Sequence, residues 1–233
     1  MDKHAIVAEE WKRCMQDLTE CEFLVSLESG EFTLDHYKCF LRETYYNTSQ
    51  NPRNMALFQA HLRWVSPPME SRLLKHAAME VGHNELALED LAALGEDVKP
   101  LRKGRPLATT AAMAAFAVFQ IQYENQFAFL GYVYHLEALA VTLGERAMES
   151  LTRLGIPQNA LSFLKEHSEA DPVHMKWNRD YLEEFIRTDQ DLDAMLYGLR
   201  GTCVLHGVMF QGIMDEVRKS ACRSSTRRIS QPN

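Results

Sequence analysis

The sequence predicts an all-α protein, a compact bundle of seven or eight helices. Three observations carry this. Apolar residues recur with a helical period along nearly every segment, and no stretch alternates as a half-buried strand does. Proline and glycine fall where helices would start or stop. The 233 residues, 46% apolar and 24% charged, are enough for one sizeable core of ordinary soluble composition.

The elements follow in order. A first helix is expected from about Asp2 to Leu27, ended by Gly30. Thr33 caps the second, with Leu34, Tyr37, Phe40, Leu41 and Tyr45 on its inner face. Asn51-Pro52 bends or breaks it before it resumes through Leu57 and His61. Ser66-Pro67-Pro68 opens a third helix that runs through His76 and His83 to Gly95, since proline in a first turn sacrifices no helical hydrogen bond. Glu96 to Pro106 reads as a charged connector. Thr109 or Thr110 opens a long helical region to Gly155, with a break near Asn125. Pro157 starts a short helix to about Glu169, and Asp171-Pro172 restarts the chain with Asp171 as N-cap. Asp189 to Asp193 leads into a last helix ending near Ser220. Residues 1–220 are thus expected to form one helical domain and 221–233 a flexible tail.

Composition narrows the function. A net charge of -7, with basic residues gathered only near the C-terminus (Arg218, Lys219, Arg223, Arg227, Arg228), argues against nucleic-acid binding. Five cysteines without C-x-x-C pairs fit free thiols in a reducing compartment. Neither a signal peptide nor an apolar run long enough to span a bilayer is visible, so a cytoplasmic protein without membrane contact is expected.

The residues that carry chemistry centre on His167-Ser-Glu-Ala-Asp171-Pro-Val-His174. Offsets of i, i+4 and i+7 put two imidazoles and a carboxylate on one helical face, although the Asp-Pro step would divide them between two helices. Glu80-Val-Gly-His83 adds a Glu-x-x-His pair, the spacing by which bundle helices present ligands to a metal pair. His76 lies two turns before His83, and Asp90 two turns after it. Glu137 neighbours an apolar stripe of Leu130, Val133, Leu136 and Ala140, where a carboxylate is costly unless paired or metal-bound. Together Glu80, His83, Glu137, His167, Asp171 and His174 supply a mixed carboxylate and imidazole set suited to two irons.

From about Leu18 to Val217 the chain resembles the heme-oxygenase-like diiron oxidases and oxygenases, a fold group that also holds thiaminase II and the last enzyme of pyrroloquinoline quinone synthesis. The resemblance rests on Met79-Glu-Val-Gly-His83-Asn-Glu-Leu, Gly131-Tyr-Val-Tyr-His-Leu-Glu137 and His167-x-x-x-Asp171-Pro-x-His174. The last run matches the family's C-terminal ligand trio, and Glu137 its central glutamate. The N-terminal pair departs from the better-known pattern, in which glutamate and histidine stand seven residues apart. That offset from His83 falls on His76, so His76 is the alternative to Glu80 as ligand.

The resemblance implies an iron-dependent oxidoreductase with a heme-oxygenase-like bundle. It would hold two irons per chain, the second labile, and use dioxygen to oxidise a small amino acid, amine or fatty-acid-like substrate. An external electron donor and a homodimer are further expectations. Arg42, Tyr45, Tyr46, Tyr123, Tyr134 and His206 are candidate substrate contacts, with Arg42 suited to a carboxylate. Two alternatives stand beside this. One is a metal-free enzyme of the thiaminase II or quinone-cofactor synthesis type, with Cys203 the cysteine to consider. The other is a non-catalytic helical ligand-binding protein, for which the Met-rich last helix (Met195, Met209, Met214) speaks.

Overall fold

The computed structural model describes residues 2–229, apart from the side chains at 170–172 and 224–229. Ten α-helices and no strands occur among the described residues: α1 (Lys3–Thr19), α2 (Glu22–Ser29), α3 (Leu34–Thr48), α4 (Asn51–His61), α5 (Pro67–Met79), α6 (His83–Ala93), α7 (Ala108–Tyr123), α8 (Ala128–Arg153), α9 (Ser162–Phe185) and α10 (Asp189–Ile229). Helix α8 is central, packed against α9 and α10. Helix α3 lies on α6, and α10 also packs against α1 and α7. No described helix is long and apolar enough to cross a membrane.

Most boundaries follow local chemistry. The Thr33 hydroxyl accepts from the His36 amide and caps α3, and Pro52 sits in the first turn of α4. Two helices lack a local cap and receive one from another helix. Buried Glu43 on α3 accepts from the Leu107 amide and the Thr110 hydroxyl at the start of α7. Buried Asp90 on α6 accepts from the Ser162 and Phe163 amides and the Ser162 hydroxyl, satisfying two orphan donors of α9. Asp90 is therefore a capping residue of α9 and is spent there.

Four expectations change. The first helix is divided at Glu20-Cys21 into α1 and α2. The third is divided at Glu80–Gly82, because Gly82 takes a left-handed φ of 95° that ends a helix and suits glycine. Asp171-Pro172 does not restart the chain: α9 begins at Ser162, after Pro157, and runs through it to Phe185. Proline there costs a helical hydrogen bond, but the packing of α9 on α8 and α6 outweighs it. The last helix continues past Ser220 to Ile229, and residues 230–233 of the expected tail lie outside the described residues.

At the crossing of α8 and α10 the backbones touch. A Cβ built on Gly198 would lie 1.9 Å from the Ala128 carbonyl oxygen, and one on Gly131 would lie 2.2 Å from the Met195 carbonyl oxygen. Only glycine permits this approach.

Candidate metal centre and its cavity

The three motif segments meet where α5, α6, α8 and α9 converge. Helix α5 brings His76 in its last turn and Glu80 at its C-cap. The left-handed turn at Gly82 then ends α5 and starts α6, so that His83 opens α6 facing Glu80, with His83 Nδ1 3.8 Å from Glu80 Oε1. Glu80 and His83 thus meet across a turn and not along one helical face, as their spacing had implied. Uninterrupted α9 carries both His167 and His174, seven residues and two turns apart. Glu137 joins from α8, one turn beyond buried Val133.

The side chains form two adjoining groups. In one, His76 Nε2 stands 3.0 Å and His174 Nδ1 3.8 Å from Glu137 Oε1. In the other, Glu80 faces His83, whose ring stacks edge-on against His167 with centroids 4.8 Å apart. Glu80 and His174 link them at 3.8 Å. Ligand atoms of His76, Glu80 and His174 all lie within 4.8 Å of one another. His76 and Glu80, the two alternatives for the N-terminal ligand, thus both stand in the cluster. The Asp171 side chain lies outside the described residues.

Both carboxylates are buried, Glu80 at 8% and Glu137 at 7% exposure, where uncompensated charge is costly. Each has a neutral donor behind it. Asn51 Nδ2 donates to Glu80 Oε2 at 3.3 Å, and Asn178 Nδ2 donates to Glu137 Oε2. The buried Tyr181 hydroxyl, whose pKa is raised by burial, stands 3.1 Å from His76 Nδ1 and directs the opposite nitrogen at Glu137. His167 Nδ1 is 2.8 Å from the Phe163 carbonyl, an acceptor only. The proton is then on Nδ1, and Nε2 is left with a lone pair for a ligand. His83 Nδ1 is buried without a hydrogen-bond partner, and burial lowers its pKa, which favours the neutral, ligating imidazole. This donor set fits a transition metal: oriented neutral imidazoles and buried carboxylates within one ion's reach.

The cluster forms part of the wall of an apolar cavity of about 180 Å³, with His76, Glu80, Glu137 and His167 on the lining. Phe23, Leu27, Phe40, Leu143, Met209 and Phe210 make up much of the rest. Of the expected substrate contacts only His206 lines it. Arg42 is turned to Glu43 and the Cys39 sulfur, and the Tyr46 hydroxyl donates to the Leu101 carbonyl. Tyr45 packs on Tyr46, half-buried Tyr134 is off the lining, and Tyr123 is exposed at the end of α7. Those five are corrected as cavity contacts. The sequence reading missed Tyr181, Asn178 and Asn51, the residues that hold the ligands. Their only signal was their offset from ligands: Asn178 and Tyr181 fall four and seven residues after His174, on its helical face.

Residues 38–206 match the family described as iron-containing redox enzyme. Among curated proteins, none matches the sequence. A domain of unknown function with a heme oxygenase-like fold from Shewanella denitrificans OS217 superposes with a TM-score of 0.82 at 24% identity, covering 92% of this chain and 91% of that one. A TenA homolog from Pseudomonas syringae pv. tomato DC3000 gives 0.77 at 11% identity, with 91% and 93% covered. A TenA homologue from P. horikoshii OT3 gives 0.75 at 13%, with 91% and 98% covered. The fold is heme-oxygenase-like.

Proposed function

We propose, for a chain that belongs to the family of iron-containing redox enzymes, the function of a non-heme diiron oxidase or oxygenase that uses dioxygen to oxidise a small, largely apolar organic substrate. The observation that carries this is the union of the Glu80, Glu137, His76, His83, His167 and His174 cluster, its carboxylates, His76 and His174 buried, with the wall of an apolar cavity. A carboxylate-imidazole set beside an apolar chamber suits oxidation of unactivated carbon, because the lining excludes water from the reacting centre. Iron, when bound, supplies dioxygen activation and electron transfer.

His76, Glu80 and His174, with His83, Glu137 and His167 beside them, would hold the metal. The chain's own residues do the rest. Asn178 and His76 keep Glu137 turned toward the cluster, and Tyr181 keeps His76 in the tautomer that donates to it. Asn51 does the same for Glu80. Such supporting bonds fix ligand orientation, and their loss typically costs 10- to 100-fold in metal affinity or activity. The apolar wall would seat the substrate against the cluster.

A thiol-based mechanism through Cys203 finds no support. Cys203 is buried off the cavity lining, its Sγ stands against His135, and burial pushes the thiol pKa up, against thiolate formation.

Anaerobic titration with ferrous iron, followed by mixing with oxygen, tests the proposal. About two irons per chain and a transient visible absorption are expected, with both lost in His174→Ala. Absence of iron binding, or a His174→Ala protein that behaves as wild type, would overturn it.

A further inference from the structure

Across α8 from the metal cluster lies a second polar group, which none of that chemistry uses. Cys203 Sγ on α10 is 3.0 Å from His135 Nδ1 on α8, and His135 Nε2 is 3.0 Å from His206 Nδ1, back on α10. All three residues are buried, and of the three only His206 reaches the cavity lining, beside Met209 and Phe210. With Nδ1 engaged by His135, its Nε2 is the nitrogen left to meet whatever fills the cavity.

The order of protons along this chain follows from its first member. A neutral thiol has one proton to give, and an imidazole nitrogen accepts it better than sulfur accepts an N–H. Cys203 then donates to His135 Nδ1. A neutral His135 with a bare Nδ1 carries its proton on Nε2 and donates to His206 Nδ1. His206, in turn, carries its proton on Nε2. Cys14 also stands within hydrogen-bond reach of Cys203, but a sulfur accepts more weakly than an imidazole nitrogen, so the thiol proton goes to His135 and the later steps follow from it.

We propose that the Cys203–His135–His206 chain fixes His206 as a hydrogen-bond donor into the cavity, and so selects ligands with an uncharged oxygen acceptor on an otherwise apolar body. This rests on the reading of the cavity as the substrate chamber. A buried donor left unmatched is penalised, so a ligand with a carbonyl, ether or hydroxyl oxygen at this point gains over a hydrocarbon of the same size. A neutral donor among Met209 and Phe210 offers no counter-charge, so a carboxylate gains no comparable advantage there. The volume, near that of cavities that take benzene, suits a body of roughly eight non-hydrogen atoms.

The test uses the metal-free full-length protein, so that its result does not depend on iron chemistry. Nitrogen-15 spectra of the histidine rings should give the Nε2–H tautomer for both His135 and His206 at neutral pH. Displacement of a bound fluorescent probe should then rank 2-heptanone about tenfold tighter than n-octane. That preference should vanish in His206→Leu and survive in His206→Gln, which retains a donor. An Nδ1–H tautomer at His206, or a ketone preference unchanged in His206→Leu, would overturn the proposal. A protein that binds no iron but shows both results would refute the diiron reading and leave this one intact.

Discussion

Replacing Gly198 by alanine tests the close backbone approach of α8 and α10. The new Cβ would meet the Ala128 carbonyl oxygen at 1.9 Å and its carbon at 2.6 Å, both backbone atoms that no rotamer change can move. Relief to ordinary contact needs about 1.5 Å of separation between α8 and α10. Overpacking of this kind costs about 1–3 kcal/mol. The same separation stretches the Cys203–His135 and His135–His206 contacts, each 3.0 Å across these two helices, at about 1 kcal/mol apiece. Alanine returns up to about 1 kcal/mol as the better helix former. The net is about 2–4 kcal/mol, or a Tm lower by roughly 4–16 °C for a chain of this length. Calorimetric melting measures it, with Gly207→Ala on the same helix as control. There the nearest atom to a new Cβ is a Leu18 methyl at 3.6 Å, and the change should be neutral or stabilising. A Gly198→Ala protein that melts at or above the wild-type temperature would refute the argument.

Three further outcomes are expected. Gly82→Ala, which forces an L-residue to hold φ near 95°, should cost about 1–2 kcal/mol in chemical denaturation and weaken metal binding by displacing His83 from Glu80. Asp90→Ala strands the part-buried Ser162 amide and the buried Phe163 amide at the start of α9 and should cost about 3 kcal/mol, with Asp90→Asn retaining part of the loss, both read from denaturant midpoints. Burial lowers the His206 pKa from its ordinary value to about 4. A folded-state pKa below the unfolded one gives stability that is complete above about pH 6.5 and lost as pH falls toward 4. The contribution is about 3 kcal/mol, so His206→Gln should flatten the fall in Tm between pH 7 and 4.

Much of the fold was legible in the sequence because its punctuation is local. Thr33, Pro52 and Gly30 act on their own turns, and the helices begin or end where they stand. The same local signals misled at Asp171-Pro172, where tertiary packing holds α9 straight through a residue that would break an isolated helix. Gly82 was an ambiguous signal, since glycine inside a helical pattern either is tolerated or terminates, and only its left-handed φ decides. The ligand residues stood out as polar groups at helical spacing. The groups behind them did not, because Asn51 and Tyr181 look like any other polar or aromatic helix residue until distant segments come together. Arg42 and Tyr46 erred in the opposite direction: their chemistry suits a substrate, but backbone and neighbouring side chains had already engaged them.

The capping of α9 by Asp90 has a consequence for the order in which the protein assembles. Helix α9 has no cap of its own, and its first amides find an acceptor only when α6 has docked. Helix α6 begins at His83 and α9 carries His167 and His174, so the contact that starts one helix also brings three imidazoles into register. Before that docking, an ion meets scattered single histidines, each a weak ligand. Metal loading therefore belongs to the assembled chain, and its rate in a refolding experiment should follow the docking of α6 on α9 rather than the earlier formation of helix.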